Sequence, residues 1–148
     1  MQTTVLMLHS SLSSGRQWQG LKLALKADYQ VLNPDLQGYG SNTASYPRPM
    51  QLADEASQLW PLLEGHPAAS VILIGHSFGG AVALHMARTR PELFKAVLVF
   101  EPVAFHLFKT TEPALYQQVQ QLSQQMLNVS PKDAAELFID YWQGEGYF

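Results

Sequence analysis

The sequence contains no cysteine, which excludes disulfide bonds, thiol catalysis and metal sites built on cysteine ligands. Charged residues make up only 14% of the chain, and 9 basic side chains face 12 acidic ones, so the net charge is −3. No basic stripe is present, and this argues against a nucleic-acid partner. Apolar runs such as 96–100 are far too short to cross a bilayer, so we expect no membrane span.

The N-terminal segment lacks the charged region that opens a secretory signal peptide, so we expect a cytoplasmic protein. Apolar residues make up 47% of the 148 residues, a composition typical of a chain that folds around a core. This length allows one domain, or most of one.

Four short apolar runs predict strands. They cover residues 5–8, 30–32, 71–74 and 96–100 and lack polar alternation, which is typical of strands buried on both faces of a parallel sheet. Helical spacings of three and four residues fill the gaps between them. This alternation predicts right-handed strand–helix–strand units, and therefore an α/β fold with a doubly wound, mostly parallel sheet.

The last third of the chain changes character, because two helical patterns follow each other with no returning strand. Ser130 and Pro131 predict the N-cap and first position of the second helix, which should stop near Gly144. We therefore divide the chain into a core, residues 1–104, and a helical cap or lid, residues 105–148.

Polar residues follow each predicted strand. His9, Asp35 and Glu101 come directly after three of the runs or within a few residues, and a serine turn follows Gly75. In doubly wound sheets, ligands bind beyond the carboxyl ends of the strands. We expect the functional site there.

The turn Gly75-His76-Ser77-Phe78-Gly79 has the pattern G-x-S-x-G between a strand and a helix. Such a turn is so tight that only small residues fit two positions before and after the serine, which explains both glycines. The Ser77 hydroxyl should project above the sheet, where the N-terminus of the following helix favours negative charge. Ser77 is therefore the candidate nucleophile.

An oxyanion hole needs two backbone N–H groups. Phe78, directly after the serine, should supply one. The loop after the first strand should supply the other, with Ser11 as the first candidate and Ser10 as the less certain one.

Four segments in this order resemble the α/β-hydrolase superfamily, in particular its esterase and lipase branch: LMLHSS (6–11), PDLQGYGSN (34–42), IGHSFGGAVALHMA (74–87) and LVFEPV (98–103). The tail LFIDYWQGEGYF (137–148) resembles a helical cap found in some members. The resemblance implies a serine hydrolase that needs no cofactor and acts on a small, partly apolar ester or related acyl bond. Ser10 stands where the family's oxyanion loop has a glycine.

The resemblance also assigns supporting roles. His9 matches a structural histidine beside the oxyanion loop, and Asp35 a carboxylate that closes a loop by hydrogen bonds. We place Tyr39 in the pocket lining. His76 should point away from the nucleophile. No residue pattern predicts a metal site.

The triad base and acid are less well defined. Among the five histidines only His106 has a plausible position for a base, although a cap or pocket role fits it better. Glu101 stands where some members, among them haloalkane dehalogenases, place the triad acid; a pocket-lining carboxylate is the alternative that we favour.

Family members continue through two further strands, whose loops usually carry the acid and the histidine. We therefore expect this chain to be a truncated product or fragment. The strand 96–100 should then have an open edge, and open edges favour self-association. The alternative to an enzyme is a non-catalytic remnant or binding module.

Overall fold

The computed structural model describes residues 2–44 and 50–146, so Tyr147 and Phe148 of the tail motif lie outside the described residues. The chain forms two compact units, Met1–Val103 and Ala104–Phe148. The role of the second unit as a cap stays a prediction.

The first unit contains a four-stranded parallel sheet. Its strands are β1 (Thr4–Leu8), β2 (Gln30–Leu32), β3 (Val71–His76) and β4 (Phe94–Phe100), in the order β2-β1-β3-β4. All four coincide with the predicted apolar runs to within two residues. The parallel α/β fold class is therefore confirmed.

Helices connect the strands as the spacing predicted. A 3₁₀ turn (Gly15–Trp18) leads into α1 (Gln19–Leu25), α2 (Leu52–Leu59) continues as a 3₁₀ turn (Trp60–Leu63), and α3 (Phe78–Thr89) precedes the 3₁₀ turn Pro91–Leu93. The core is a cluster of aliphatic side chains from β1, β3, α2 and α3, which includes Leu6, Leu8, Leu73, Ala56, Leu59, Val82 and Met86. Burial of this surface stabilises the unit at about 25 cal/mol per Å².

β4 is the last strand of the sheet among the described residues. Leu98 is 51% exposed and Phe100 is 62% exposed, whereas every residue of β1 is buried. The expectation that the runs are buried on both faces is wrong for β4 and for β2, which has no buried residue either, because both are edge strands of the described sheet with a neighbour on one side only. Self-association through the edge of β4 stays a prediction, which sedimentation velocity over a range of concentrations would check.

The second unit is helical. It contains a 3₁₀ turn (Phe105–Leu107), α4 (Phe108–Thr111), α5 (Pro113–Leu127) and α6 (Pro131–Gln143). Ser130 caps α6 by accepting a hydrogen bond from the N–H of Asp133 at 3.2 Å, and Gly144 ends the helix at φ +106°, as predicted. Across the described ranges, no helix combines the length and apolarity that a membrane crossing requires.

Candidate active site

Ser77 lies in the turn between β3 and α3, at the carboxyl edge of the sheet. Its backbone has φ +51° and ψ −115°. These angles are those of the first central residue of a type II′ turn, a position that glycine dominates because side chains disfavour it. A non-glycine residue held there carries strain, which accumulates at functional sites.

The surrounding glycines allow this turn. A Cβ on Gly75 would lie 2.5 Å from the carbonyl oxygen of Gly79, and a Cβ on Gly79 would overlap the carbonyls of Leu8 and His9. Gly79 also donates its N–H to the carbonyl of His9 at 3.2 Å. The sequence-based reason for both glycines is confirmed, and the same contacts bring the end of β1 against the start of α3.

Tertiary hydrogen bonds hold the Ser77 backbone. Its N–H donates to the carbonyl of Phe100 at 2.9 Å, and its carbonyl accepts from the N–H of Val103 at 3.1 Å. Phe100 at the end of β4 and Val103 in the segment after it thus hold the N–H and the carbonyl of Ser77 in the strained geometry.

Two amide groups flank this turn without hydrogen-bond partners among the described residues: the N–H of Phe78, the first residue of α3, and the N–H of Ser11, just after β1. The N–H of Ser10, by contrast, donates to the Oε1 of Gln17 at 3.0 Å. The contact between Gly79 and His9 makes the two segments neighbours, so Phe78 and Ser11 present available donors at one edge of the sheet.

His9 is fully buried beneath this loop. Its Nε2 accepts a hydrogen bond from the N–H of Leu36 at 2.9 Å, so its Nδ1 carries the proton and donates to the carbonyl of Ser10 at 2.8 Å. Tyr39 packs its ring against the imidazole, with 5.5 Å between centroids. His9 thus connects the loop after β1 to the loop after β2.

Asp35 closes the loop after β2. Its carboxylate accepts hydrogen bonds from the N–H of Gly15 at 2.7 Å and from both the N–H and the hydroxyl of Ser41 at 2.8 Å. These bonds, chiefly that from the Ser41 amide, hold the pKa of Asp35 below its usual value of 3.8. Gly40, at φ +56°, passes so close to this carboxylate that a Cβ would collide with it.

His76 is turned towards Gln17 and Glu101. The side-chain amide of Gln17 lies 3.0 Å from Nδ1, and a carboxylate oxygen of Glu101 lies 3.8 Å from Nε2. The ring of Phe100 packs on the imidazole at 5.3 Å. The structure therefore brings Glu101 together with His76. The side chain of Glu101 is 74% exposed, and its backbone has φ +45°.

Within the described residues of the first unit, no histidine is hydrogen-bonded to the Ser77 hydroxyl. His66 lies at the opposite end of the sheet, where its Nε2 is 2.9 Å from the Thr4 hydroxyl. His106 belongs to the second unit, where it is exposed in the 3₁₀ turn.

Sequence reasoning missed two residues that support the site. Gln17 contacts Ser10 and His76. The residues next to Gln17 in the sequence do not indicate these contacts. Glu55 is 1% exposed, and both its carboxylate oxygens lie within 3.3 Å of the N–H of Gln37, in the loop that carries Asp35. Glu55 comes three residues after Leu52, so the sequence places a charge on the apolar face of α2. This position could have indicated a buried carboxylate.

The second unit has its own apolar cavity, of about 390 Å³. Phe105 stacks on Trp142, with ring centroids 5.5 Å apart and planes inclined by 4°. Val119, Leu122 and Met126 of α5 and Phe138 of α6 complete the apolar lining. Cavities of this size and polarity accommodate small apolar groups.

Comparison with known proteins identifies the family. A family model described as alpha/beta hydrolase fold matches residues 3–147. The chain belongs to the α/β-hydrolase fold family. The resemblance drawn from the four sequence segments is therefore confirmed, and hydrolase chemistry is supported at the level of the superfamily.

Relatives of this α/β-hydrolase chain carry different names. It is 35% identical to lipase LipV of Mycobacterium tuberculosis over 98 residues, covering 66% of this chain and 36% of LipV. It is 34% identical to the magnesium-chelatase 30 kDa subunit of Rhodobacter capsulatus, covering 59% and 31%. The thioesterase domain from the curacin biosynthetic pathway superposes with a TM-score of 0.61 at 28% identity, covering 68% and 38%. The chain thus spans about a third of the length of these curated relatives.

Proposed function

We propose that Ser77 is the nucleophile of a hydrolase that cleaves a small ester or a related acyl bond. The observation that carries this proposal is the backbone of Ser77, a non-glycine residue at φ +51° directly before the N-terminus of α3. Such strain persists only where surrounding contacts enforce it, and here Phe100 and Val103 do so. The lipase and thioesterase names among the relatives fit cleavage of an acyl bond.

In the proposed reaction, the Ser77 oxygen attacks the acyl carbonyl carbon and its proton passes to a base. The negative charge that develops on the carbonyl oxygen is stabilised by the N–H groups of Phe78 and Ser11, which have no other acceptor among the described residues. The alcohol or thiol leaves, and water then hydrolyses the acyl-enzyme and restores the serine.

The base and the acid of the triad are open assignments. For the base we propose a histidine that is not among these 148 residues, and His106 fits a cap or pocket role better. Glu101 is the candidate acid, but its pairing with His76 favours the reading of a carboxylate beside the pocket. We place His9, Asp35 and Tyr39 in a supporting role, since their hydrogen bonds and ring contact join the loop after β1, which carries Ser11, to the loop after β2.

The names of two relatives, a lipase and a thioesterase domain, favour a substrate with an apolar acyl group. The sequence resemblance to esterases implies the same partly apolar ester. We therefore propose short-chain and aryl esters as the first substrates to assay.

The test is labelling with a fluorophosphonate. The Ser77 oxygen bonds to phosphorus, fluoride leaves, and the hydroxyl proton passes to a base. We expect one adduct, mapped to Ser77 by peptide mass spectrometry, on the protein from its native source. Ser77→Ala should abolish it. Ser13→Ala, a nearby serine outside the proposed machinery, should leave the labelling rate unchanged.

A binding module without catalysis is the second candidate. The observation in its favour is the Ser77 hydroxyl, which has no hydrogen-bonded histidine within the described part of the first unit. A native protein that resists labelling at Ser77 would contradict the hydrolase proposal and support this alternative. Labelling that persists in Ser77→Ala would contradict the assignment of the nucleophile.

A further inference from the structure

The side chain of Gln17 bridges the loop after β1 and the turn that carries Ser77. Its Oε1 accepts hydrogen bonds from the N–H of Ser10 at 3.0 Å and from the Ser10 hydroxyl at 2.9 Å. Its Nε2 lies 3.0 Å from the Nδ1 of His76, the residue before the nucleophile. One amide group therefore contacts both segments that build the site.

The chemistry of the donors fixes the direction of each bond. A backbone N–H can only donate, so the atom of Gln17 that faces Ser10 is the carbonyl oxygen. The other end of the amide is then an NH₂ group, which donates to His76. His76 Nδ1 must accept this bond, so the proton of the neutral ring lies on Nε2, on the side of Glu101.

Ser10 itself contributes to this arrangement. It stands where the family resemblance expects a glycine, and its hydroxyl supplies the second hydrogen bond to Gln17. A glycine would keep the N–H bond and lose the hydroxyl bond. The serine therefore strengthens the contact between the oxyanion loop and Gln17 in this chain.

The loop needs such support, because Leu12 has φ +56° and the N–H of Ser11 must stay free to act as a donor. Oxyanion donors work only when they lie about 2.7–3.1 Å from the developing charge. Gln17 engages the neighbouring N–H of Ser10 and so leaves Ser11 as the available amide.

We propose that Gln17 is a positioning residue, which joins Ser10 to His76 and thereby holds the Ser11 amide in register with the Ser77 turn. This inference rests on the proposed function of Ser77. Gln17 touches neither the nucleophile nor the reacting carbonyl, so it acts through the loop and through the ring orientation of His76.

The first test measures the rate constant with which a fluorophosphonate labels Ser77. It uses the native protein and its variants. Gln17→Leu has similar size and no hydrogen-bonding group. Gln17, Trp18 and Phe100 line one apolar groove of the first unit, so the leucine can pack against the two aromatic rings. We expect labelling about 3- to 10-fold slower, the factor that one or two lost hydrogen bonds produce. Ser10→Gly removes only the hydroxyl bond and should give a smaller decrease.

The second test reads the tautomer of His76 from ¹⁵N NMR shifts of its ring nitrogens at about pH 8, where neutral imidazole is the ordinary form. The wild-type chain should carry the proton on Nε2. Gln17→Glu keeps the acceptor for Ser10 but presents no donor to His76, so the proton should move to Nδ1. The missing signals in His76→Gln provide the assignment.

The outcomes distinguish the proposed function of Ser77 from the proposed role of Gln17. A wild-type protein that is not labelled at Ser77 overturns the proposed function and the role of Gln17 together. Wild-type labelling that Gln17→Leu leaves unchanged overturns the role of Gln17 alone, and so does an Nδ1 proton on His76 in the wild-type chain. Because Gln17 is an exposed side chain, we expect its variants to fold, and the melting temperatures of all the variants check this.

Discussion

Replacing Ser77 by glycine should stabilise the protein relative to replacing it by alanine. Both variants lack the hydroxyl, which makes no capping bond to α3, so they differ only in the Cβ. Alanine keeps the strain of a side chain at φ +51° and ψ −115°, and such strain costs about 1–3 kcal/mol. Glycine removes this strain, but it also makes the unfolded chain more flexible, which lowers the stability by about 0.4–1 kcal/mol. The net advantage of glycine is therefore about 0–2.6 kcal/mol, with a middle value of about 1.3 kcal/mol.

The assay is thermal unfolding of the two variants side by side, followed by circular dichroism. Unfolding entropy is about 2.1 cal/mol/K per residue, so in a chain of 148 residues 1 kcal/mol corresponds to about 3 °C. We expect the glycine variant to melt about 4 °C higher than the alanine variant, and at most about 8 °C higher. A glycine variant that melts about 1–3 °C below the alanine variant, the effect of unfolded-state entropy alone, would show that the turn stores no strain and would remove the main support for Ser77 as the nucleophile.

Two further predictions concern the surroundings of the site. Gly79→Ala should lower the free energy of unfolding by about 1–3 kcal/mol, because the added Cβ meets the backbone carbonyls of Leu8 and His9, which cannot move aside. The matched control is Gly20→Ala on α1, where a Cβ meets nothing within 4 Å, and this variant should be neutral or stabilising. Urea titration measures both. Asp35 has a folded pKa below its unfolded value, so its stabilising contribution is complete above that unfolded value of 3.8 and is lost as the pH falls through the folded pKa. The difference in melting temperature between wild type and Asp35→Asn should therefore narrow as the pH falls below about 4, and a constant difference would contradict this account.

The sheet and its helices could be predicted because their signals are local. The run 71–74 and the glycines at 75 and 79 define a strand, a tight turn and a helix within a few residues, and the structure has β3, the strained Ser77 and α3 there. Ser130 and Gly144 marked the ends of α6 for the same reason. Apolar runs and cap residues carry their meaning in their immediate neighbours.

The polar contacts of the site could not be predicted, because they join distant parts of the chain. Gln17 meets His76, and Glu55 meets Gln37, through side chains whose partners follow from the packing of whole elements. The exposure of β4 follows from strand order, which the apolar run itself does not encode. The pairing of Glu101 with His76 similarly depends on the register between β3 and β4.

The hydrogen bonds from the Ser77 backbone to Phe100 and Val103 have a consequence for the order of synthesis. A growing chain that has completed α3 already contains the whole Gly75–Gly79 motif, but the groups that enforce the positive φ of Ser77 have not yet been made. The serine can then relax into an ordinary backbone conformation. The strained geometry forms only after β4 and the residues up to Val103 have been added, so unfinished chains carry the motif without the geometry.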